Sequence, residues 1–449
     1  MTQCITRRGF LKGAAVTAGV TVLTGSARHS AYAANIRLNT ALVGVGGQGG
    51  ASHGAARGEN LVAMCDVDEN RMKGLAGKQS QAKTYTDYRR MFDRHKNINA
   101  TFIAVPDHSH FPAAMRAIAL RSGVYVEKPL THSIWEARTL TLAARRAKVA
   151  TQMGNQGHSG EGWRSLCEYI WAGAIGDVTL VECSTNRPIW PQGGLERPPY
   201  SDPVPAGLDW EAWIGPAPMR PYVEKWREGP HKDKRLYHWF TWRGWWDFGC
   251  GALGDMGCHI MDGAFWSMRL ASAKTCTIEA ESGGNTAEGA PAWSIVTYQF
   301  PARGSMPPLT LKWYDGGKRP ERPAELEEGR KLDSGGHSIF HGSKGTMIAG
   351  CYGGGARIIP ESKHRETPKP RETIPRAGDH RGDFVKACKG GPPASSNFEY
   401  SGPFTEIVNL GNLAIRLGQK IEYDIVNMKA KGCPEADVLI RRPYRQGWA

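Results

Sequence analysis

"IRLNTALVGVGGQGG", residues 36–50, decides the fold of the first part of the chain. Its apolar run, residues 40–45, predicts a buried β-strand that leads directly into a G-x-G-x-x-G spacing. In this pattern the first glycine permits a tight turn, the second lets the backbone approach a pyrophosphate, and the third allows close helix–strand packing. N–H groups at the start of the next helix would then hold the phosphates. The predicted dinucleotide contacts of this loop are Gly44, Gly46, Gly47, Gln48 and Gly49.

A second buried-strand pattern, "NLVAMCDVD", contains Asp66, twenty residues after Gly46. A carboxylate at this place accepts hydrogen bonds from the adenosine ribose hydroxyls and repels a 2′-phosphate. The sequence therefore predicts NAD as the cofactor and favours it over NADP. Arg71 is close enough in sequence to leave NADP open.

Buried-strand and helix patterns alternate as far as "VATQMGNQ", residues 149–156. This alternation predicts an α/β domain built on a doubly wound parallel sheet, the Rossmann arrangement. In such sheets the ligand lies beyond the carboxyl ends of the strands. The further cofactor contacts predicted at these strand ends are Pro106, His108, His110, Glu127, Lys128 and Asn155.

The stretch "FGCGALGDMGCHIMD", residues 248–262, places Asp255, Cys258, His259 and Asp262 within eight residues. If the segment is helical, steps of three, four and seven residues put all four side chains on one face. Each of them could bind a metal or move a proton. A tetrahedral metal site needs more ligands than one helix supplies, and the sequence offers no second cluster, so no metal is expected.

Five motifs, in this order and spacing, make the chain resemble the Gfo/Idh/MocA family of sugar and cyclitol oxidoreductases. They are "GVGGQG", "CDVD", "VPDHSH", "VYVEKPL" and "GALGDMGCHIMD", and the late segment "FTEIVNLGNLAIRLGQKIEYD" is similar to the family's C-terminal helix and strand. The resemblance implies a Rossmann domain followed by an α+β domain with an open, mainly antiparallel sheet. Substrate would lie between that sheet and the nicotinamide. The family's catalytic lysine, aspartate and histidine fall on Lys128, Asp255 and His259.

The chemistry of alcohol oxidation agrees with these three side chains. A histidine, with an unperturbed pKa of about 6.5, suits the removal of a hydroxyl proton near neutral pH. An adjacent ammonium group stabilises the developing alkoxide. We therefore expect His259 to be the base, Lys128 its electrostatic partner, and Asp255 the group that orients the imidazole or holds a second hydroxyl. In the alternative interpretation, Asp255 only caps the helix that carries His259.

Residues 187–247 are rich in proline, tryptophan and charge, and they hold eight of the 15 tryptophans. So many prolines exclude long helices and predict a long ordered loop packed by its aromatic side chains. Most of these tryptophans are expected to attach the loop to the sheet. The substrate contacts predicted in this half of the chain are His158, Arg187, Trp190, Trp245 and Tyr314.

The first 33 residues resemble a twin-arginine (Tat) export signal. Paired Arg7 and Arg8 precede a mildly apolar run that is too short to span a bilayer, and Ala31-Tyr32-Ala33 forms an A-x-A cleavage pattern. The expected organisation is a signal at 1–33, an NAD-binding Rossmann domain at 34–154 and a substrate-binding sheet domain at 155–449. The mature protein is then expected in the periplasm or outside the cell, with the Tat translocase as a partner during export. Since Tat moves folded proteins, a tightly held cofactor is favoured.

Composition excludes several classes of protein. The formal net charge is +14, but Lys and Arg are scattered without a basic helix, so nucleic acid is not an expected partner. The nine cysteines after the signal form no C-x-x-C pair, so neither a zinc ribbon nor a disulfide framework is expected. No later run approaches about 18 apolar residues, so the mature chain is not expected to span a membrane.

The expected activity is hydride transfer between a secondary hydroxyl of a sugar, glycoside or cyclitol and a tightly bound nicotinamide cofactor. Two alternatives stay open: an NAD-dependent glycosidase that acts through transient oxidation and elimination, and a non-catalytic sugar-binding protein on the same fold. The related family 109 glycoside hydrolases resemble this chain less around the lysine motif, where E-K-P favours the dehydrogenases. The family often forms dimers or tetramers through the open sheet, so a homo-oligomer is a further expectation.

Overall fold

The computed structural model describes residues 37–238 and 240–448, which fold around two β-sheets. The export signal predicted at residues 1–33 lies outside the described residues. The strands are β1 (Asn39–Val43), β2 (Asn60–Cys65), β3 (Lys83–Tyr85), β4 (Ala100–Ile103), β5 (Gly123–Glu127), β6 (Thr151–Gly154), β7 (Val178–Thr185), β8 (Thr275–Gly283), β9 (Trp293–Phe300), β10 (Leu309–Tyr314), β11 (Gly336–Gly342), β12 (Gly345–Gly350), β13 (Arg357–Ile359), β14 (Ile421–Asp424) and β15 (Lys429–Ala430). The α-helices are α1 (Gln48–Ala55), α2 (Glu69–Lys78), α3 (Tyr88–Arg94), α4 (His110–Ala119), α5 (Ile134–Ala147), α6 (Glu161–Trp171), α7 (Trp210–Ile214), α8 (Gly251–Ile260), α9 (Asp262–Ser267), α10 (Glu361–Glu366), α11 (His380–Cys388), α12 (Phe398–Leu417) and α13 (Asp437–Ile440).

The first sheet has six parallel strands in the order β3-β2-β1-β4-β5-β6. The chain builds outward from β1 through β2 and β3 and then crosses back to β4, so the strand order reverses between β1 and β4. Val43 at the end of β1 pairs with Ile103 at the end of β4. A crevice for a ligand forms beyond the strand ends at such a reversal. The predicted doubly wound Rossmann sheet is confirmed.

Both faces of this sheet are buried, which explains its nearly continuous apolar strands. Leu42 and Phe102 pack toward α1, α2 and α11, whereas Val43 and Ile103 pack toward α3, α4 and α5. Helix α11 comes from the second half of the chain, and its Phe384 ring lies 5.3 Å from Phe102. The Rossmann layer is therefore completed by residues far beyond 154.

The second sheet has nine strands in the order β13-β12-β11-β7-β10-β9-β8-β14-β15. Strands β7 and β10 are parallel, and the other neighbours are antiparallel. Side chains alternate between buried and partly exposed along β9, so one face is covered. Val296, Leu311 and Trp313 are completely buried in that core. The expected mainly antiparallel sheet domain is confirmed.

The stretch at residues 248–262 forms two helices and not one. Helix α8 ends at Ile260, and α9 begins at Asp262. Helix α8 lies close to α12 because Gly257 faces Val408, where a Cβ would sit 3.1 Å from Cγ1. Asp262 therefore begins α9 and is not part of the helix that carries Asp255 and His259.

The proline- and tryptophan-rich segment packs around its own aromatic core. Trp210 and Trp213 stack with ring centroids 4.7 Å apart, and Trp226 stacks on Trp245 at 6.0 Å. The α-helix that the structure describes in this segment, α7, has only five residues. The segment is an ordered loop, as the prolines predicted.

Residues 442–448 pack against the helices of the first sheet. Fully buried Glu136, in the first turn of α5, accepts hydrogen bonds from Arg442 at 2.9 Å and from the Tyr444 hydroxyl. Trp448 packs against Tyr88 of α3, with ring centroids 6.0 Å apart. These late residues therefore complete the helical layer of the first sheet.

The nine cysteines of the described chain are all free, and seven of them are buried. Within residues 37–238 and 240–448, none of the helices combines the length and the apolar character needed to cross a bilayer.

Candidate active site

The glycine loop lies at the crevice between β1 and β4. Gly44 has φ +82°, and a Cβ there would collide with the Ala104 carbonyl oxygen. Gly49 packs against the Gly44 backbone in the same way. Gly47 is the N-cap of α1, and no side chain caps that helix. The N–H groups of Gly49 and Gly50 donate to the carbonyl oxygens of Gly46 and Gly47, at 2.9 and 3.1 Å, so it is the uncapped start of α1 at Gln48 that suits an anionic ligand such as a pyrophosphate.

Asp66 stands beside this loop at the end of β2. Its carboxylate accepts hydrogen bonds from the N–H groups of Val45 at 3.0 Å and Asp68 at 3.1 Å. Burial raises the pKa of the Asp66 carboxyl, and these two donors oppose the shift. Arg71 lies directly over Gly46, so a Cβ on that glycine would collide with Nη1. An acid and an arginine thus border the place predicted for the adenosine ribose.

A cleft of about 360 Å³ runs from the glycine loop along the strand ends. The predicted cofactor residues that line it are Gly44, Gly46, Gly47, Gln48, Asp66, Pro106, Glu127 and Lys128. Its other wall comes from the aromatic loop and includes Trp213, His238, Phe240, Trp242 and Arg243. The loop that is richest in tryptophan therefore forms part of the cleft.

Lys128, directly after β5, is held in place by Asp255 of helix α8. Its Nζ donates to the Asp255 carbonyl oxygen at 2.7 Å and to Asp255 Oδ1 at 2.8 Å. Arg243 Nε donates to the same Oδ1 at 2.9 Å. Burial alone would raise the pKa of the Asp255 carboxyl, but Lys128 and Arg243 outweigh it and hold that pKa far below its usual range. Asp255 is therefore an ionised anchor for two cations.

His259 lies one turn beyond Asp255 on α8 and is buried. Its Nδ1 makes no hydrogen bond within the described residues. Burial, followed by the charge of Lys128, lowers the pKa of His259 well below 6.5, so the imidazole is neutral at neutral pH. Asp255 was expected to orient this ring, but no hydrogen bond between the two side chains is found in the described chain, and Asp255 positions Lys128 instead.

Two residues that sequence reasoning missed complete the surroundings of these groups. Tyr352 lies in the turn after β12, with its ring centroid 4.5 Å from that of His259. Asp107 follows β4 and accepts the Cys250 N–H at 3.1 Å. Burial raises the pKa of the Asp107 carboxyl to about 7, although the nearby Arg243 and Lys128 oppose the shift.

The structure does not bring every predicted cofactor contact to the cleft. Both ring nitrogens of His108 lie near the carbonyl oxygens of Trp213 and Phe248, at 2.9 and 3.2 Å. Those of His110 lie 2.8 Å from the carbonyl oxygens of Val105 and Pro129. These two imidazoles link neighbouring loops. Their placement does not support the predicted contact with the cofactor.

Asn155 and His158 belong to a buried network around Asp262. Asn155 Nδ2 donates to the Asp262 carboxylate at 3.1 Å, and His158 Nδ1 lies 3.1 Å from the same group. His158 also stacks on Trp266, with ring centroids 4.3 Å apart. Asn155 was predicted as a cofactor contact and His158 as a substrate contact, but the structure places both in the packing between helices.

The remaining predicted substrate contacts divide into two groups. Trp245 is fully buried and donates to the Leu236 carbonyl oxygen at 2.8 Å, while Tyr314 donates to Glu182 at 2.8 Å. Neither side chain lines the cleft, because each one makes its hydrogen bond inside the layer to which it belongs. Arg187 and Trp190 do not line the cleft either, but Trp190 packs edge-on against Phe240 of the cleft wall, with centroids 5.5 Å apart.

Within the described residues, no group of three or more His, Cys, Asp or Glu side chains is placed to hold a metal ion. Cys258, one of the four residues clustered in sequence, is completely buried.

A dinucleotide-type cleft, with Lys128 held on its wall by Asp255 and His259 one turn further along α8, is the arrangement of a Rossmann-fold oxidoreductase. Residues 38–155 match the family model described as "Oxidoreductase family, NAD-binding Rossmann fold", and residues 192–306 match the "Oxidoreductase family, C-terminal alpha/beta domain". Together the two models cover just over half of the chain, and the protein belongs to the Gfo/Idh/MocA oxidoreductase family.

Individual relatives are distant. Oxidoreductase P35 of Formosa agariphila is 29% identical over 155 residues, which are 34% of this chain and 48% of that protein. Inositol 2-dehydrogenase of Rubrobacter xylanophilus is 30% identical over 151 residues, 32% of this chain and 42% of that one. The chain thus spans about half the length of the curated relatives it matches.

Solved structures share the fold over most of the chain. The WlbA dehydrogenase from Bordetella pertussis, in complex with NADH and UDP-GlcNAcA, has a TM-score of 0.58 and 15% identity, with 86% of this chain and 98% of that chain covered. A levoglucosan dehydrogenase in complex with NADH and L-sorbose has a TM-score of 0.54 and 16% identity, with 87% and 100% covered.

Proposed function

We propose that the protein transfers a hydride between a secondary hydroxyl of a sugar, glycoside or cyclitol and a tightly bound NAD. The observation that carries this proposal is the placement of Lys128. Its ammonium is held by Asp255 at the end of β5, on the same cleft as the glycine loop. Its charge also acts on the neutral imidazole of His259, which is buried and does not itself line that cleft. This is the set of groups that alcohol oxidation needs.

The residues of the cleft fit NAD. Gly44 and Gly46 stand where a Cβ would collide with Ala104 or Arg71, and the uncapped N-terminus of α1 suits the pyrophosphate. Asp66 suits the ribose hydroxyls. When bound there, NAD supplies the acceptor for the hydride that leaves the carbinol carbon.

The chain's own residues manage the charge and the proton. An ammonium group has three N–H donors, and Asp255 occupies two of those of Lys128, so the third can bind the substrate oxygen. As the O–H bond breaks, Lys128 stabilises the negative charge on that oxygen. The imidazole of His259 takes up the proton. Because its pKa is lowered, the ring is neutral and therefore has a nitrogen free to accept a proton.

Export belongs to the same proposal. The Tat-like residues 1–33 would send the folded protein to the periplasm or outside the cell. Free NAD is scarce there, so the cofactor would stay bound and be recycled, either within one turnover or by a second sugar. Inositol and sugar dehydrogenases among the relatives support this substrate range.

The test records the absorbance of nicotinamide bound to the purified protein while sugars, glycosides and inositols are added. Lys128→Met should lower the rate by about 10²–10³-fold without loss of cofactor, whereas the exposed control Lys420→Met should behave as the parent. A protein that neither contains nor binds NAD would refute the proposal. Release of an aglycone without net reduction would point to the glycosidase, and sugar binding without any reduction would point to a binding protein.

A further inference from the structure

Arg187 is a cation on the substrate side of the site. It follows β7 by two residues, and its carbonyl oxygen accepts the Gly316 N–H at 2.7 Å. The end of β7 pairs with Gly336, which packs against Ile260, the neighbour of His259 in α8. This packing places Arg187 close to the end of α8 that carries His259.

The guanidinium of Arg187 has no counter-charge among the residues that the structure describes. Among residues 37–238 and 240–448, no carboxylate lies within ion-pair distance of it, and its buried Nε has no hydrogen-bond partner. Its Nη1 donates to the neutral amide of Asn186. Asp333, near the turn that carries Tyr352, is already held by the N–H groups of Gly335 and Cys351, at 2.8 and 3.1 Å.

The balance of charge around the reacting position is positive. Lys128 and Arg243 share one carboxylate, Asp255, and Arg187 adds a third cation. The buried Asp107 carboxyl, whose pKa burial raises to about 7, offsets only part of this charge. A nicotinamide ready to accept a hydride adds further positive charge. A buried or half-buried cation of this kind is stabilised most by a carboxylate, which a guanidinium binds through two parallel hydrogen bonds.

Tyr352 forms a fixed wall beside this cation. It has φ +61° in the left-handed region, which is costly for a residue with a Cβ, and it is nevertheless 46% exposed. The turn is held because Gly157 leaves room for it: a Cβ on Gly157 would lie 2.8 Å from Tyr352 Cα and Cβ. The Tyr352 ring is thus held next to His259 by a strained backbone and is half exposed to solvent. A ring in this position is suited to pack against a sugar ring.

We propose that Arg187 and Tyr352 form a subsite for a sugar acid, in which Arg187 binds the carboxylate and Tyr352 packs against the ring. This inference rests on the proposed function and names its substrate class. The carboxylate takes no part in the bond changes. It anchors the sugar so that a secondary hydroxyl meets Lys128 and His259.

The test compares matched pairs of methyl glycosides: glucuronide with glucoside, galacturonide with galactoside and mannuronide with mannoside. The acid of at least one pair should have a kcat/KM at least about 10-fold above that of its neutral partner, the advantage expected of a charge-assisted, bidentate hydrogen bond. Arg187→Met should lower this acid-to-neutral ratio by about 10-fold or more. The exposed control Arg319→Met should leave the ratio unchanged.

A second variant separates the two residues. Tyr352→Gly removes the ring and relieves the left-handed strain, so it should fold at least as well as the parent. It should raise KM for acid and neutral sugars alike by about 10-fold and leave their ratio unchanged. Equal use of both partners in every pair by the parent protein, or an unchanged ratio in Arg187→Met, would overturn the subsite.

Calorimetry distinguishes failure of the subsite from failure of the proposed function. If none of the sugars is oxidised, the methyl uronides are titrated directly into the parent and Arg187→Met proteins. Binding that is lost in the variant would support the subsite although the redox function had failed. Absence of binding to the parent would overturn it.

Discussion

Asp107 offers the sharpest quantitative prediction. Its carboxyl is buried in the cleft wall, where burial raises its pKa to about 7 from an ordinary value of 3.8. Asp107→Asn replaces it with a group of the same shape that cannot ionise. The amide oxygen can still accept the Cys250 N–H that Asp107 accepts at 3.1 Å. We expect the variant to be more stable than the parent above neutral pH.

The size of the effect follows from the two pKa values. Below about pH 4, folded and unfolded chains both carry the proton, and the parent is at its most stable with respect to this group. As the pH rises toward the folded pKa, the unfolded chain releases the proton while the folded protein keeps it, so the free energy of unfolding falls. A difference of about three pKa units corresponds to a loss of about 4 kcal/mol, reached above about pH 7.

The assay is thermal unfolding followed by circular dichroism at several values between about pH 4 and about pH 8. Parent and Asp107→Asn should melt at similar temperatures at the acid end and separate progressively as the pH rises. The exposed control Asp93→Asn should follow the parent throughout. If Asp107→Asn loses as much stability between these limits as the parent does, the buried carboxyl is not the source of the pH dependence.

Three further predictions follow from the site and the aromatic loop. Asp66→Ala should raise the affinity for NADPH relative to NADH by about 10-fold, because loss of the carboxylate removes repulsion of the 2′-phosphate. If fluorescence titrations give the same NADPH-to-NADH affinity ratio for the parent and the variant, Asp66 does not have this role. Because burial holds the pKa of His259 well below 6.5, the acid limb of the kcat/KM profile for alcohol oxidation should lie below pH 6.5, and a limb above that value would exclude His259 as the base. Trp245→Ala should destabilise the protein by about 3–5 kcal/mol in denaturant unfolding, with little change in NADH affinity, since the indole is fully buried outside the cleft.

Local spacing was enough to predict the parts of the site that lie within single turns. The glycine loop and Asp66 could be predicted because each belongs to a local pattern, a tight turn or the end of a strand, that a short window of sequence contains. The pairing of Lys128 with the helix of Asp255 could be anticipated only through the family resemblance, because 127 residues separate them.

The histidines that sequence reasoning misplaced are those whose ring nitrogens bond to groups inside the protein, which the sequence pattern does not indicate. His108, His110 and His158 follow strand ends, as ligand-binding residues do, yet carbonyl oxygens or Asp262 occupy their ring nitrogens. Arg243 and Tyr352 were missed because no motif marks them as site residues. Arg243 lies 12 residues before Asp255 in the aromatic loop, and only the fold shows that it bonds to Asp255 and that Tyr352 packs against His259.

The bonds of Glu136 to Arg442 and Tyr444 carry a consequence for biosynthesis. Helix α5 is translated some 300 residues before these partners, as the sequence separations of 306 and 308 show. Without these partners the Glu136 carboxylate accepts only the N–H groups of His132 and Ser133, at 3.0 Å each, and removing one partner of a buried ion pair costs about 3–5 kcal/mol. The nucleotide-binding half therefore gains its full stability only once Arg442 and Tyr444 have been synthesised and have docked on α5. For a protein proposed to be exported in its folded form, docking of these late residues is then a condition of readiness for transport.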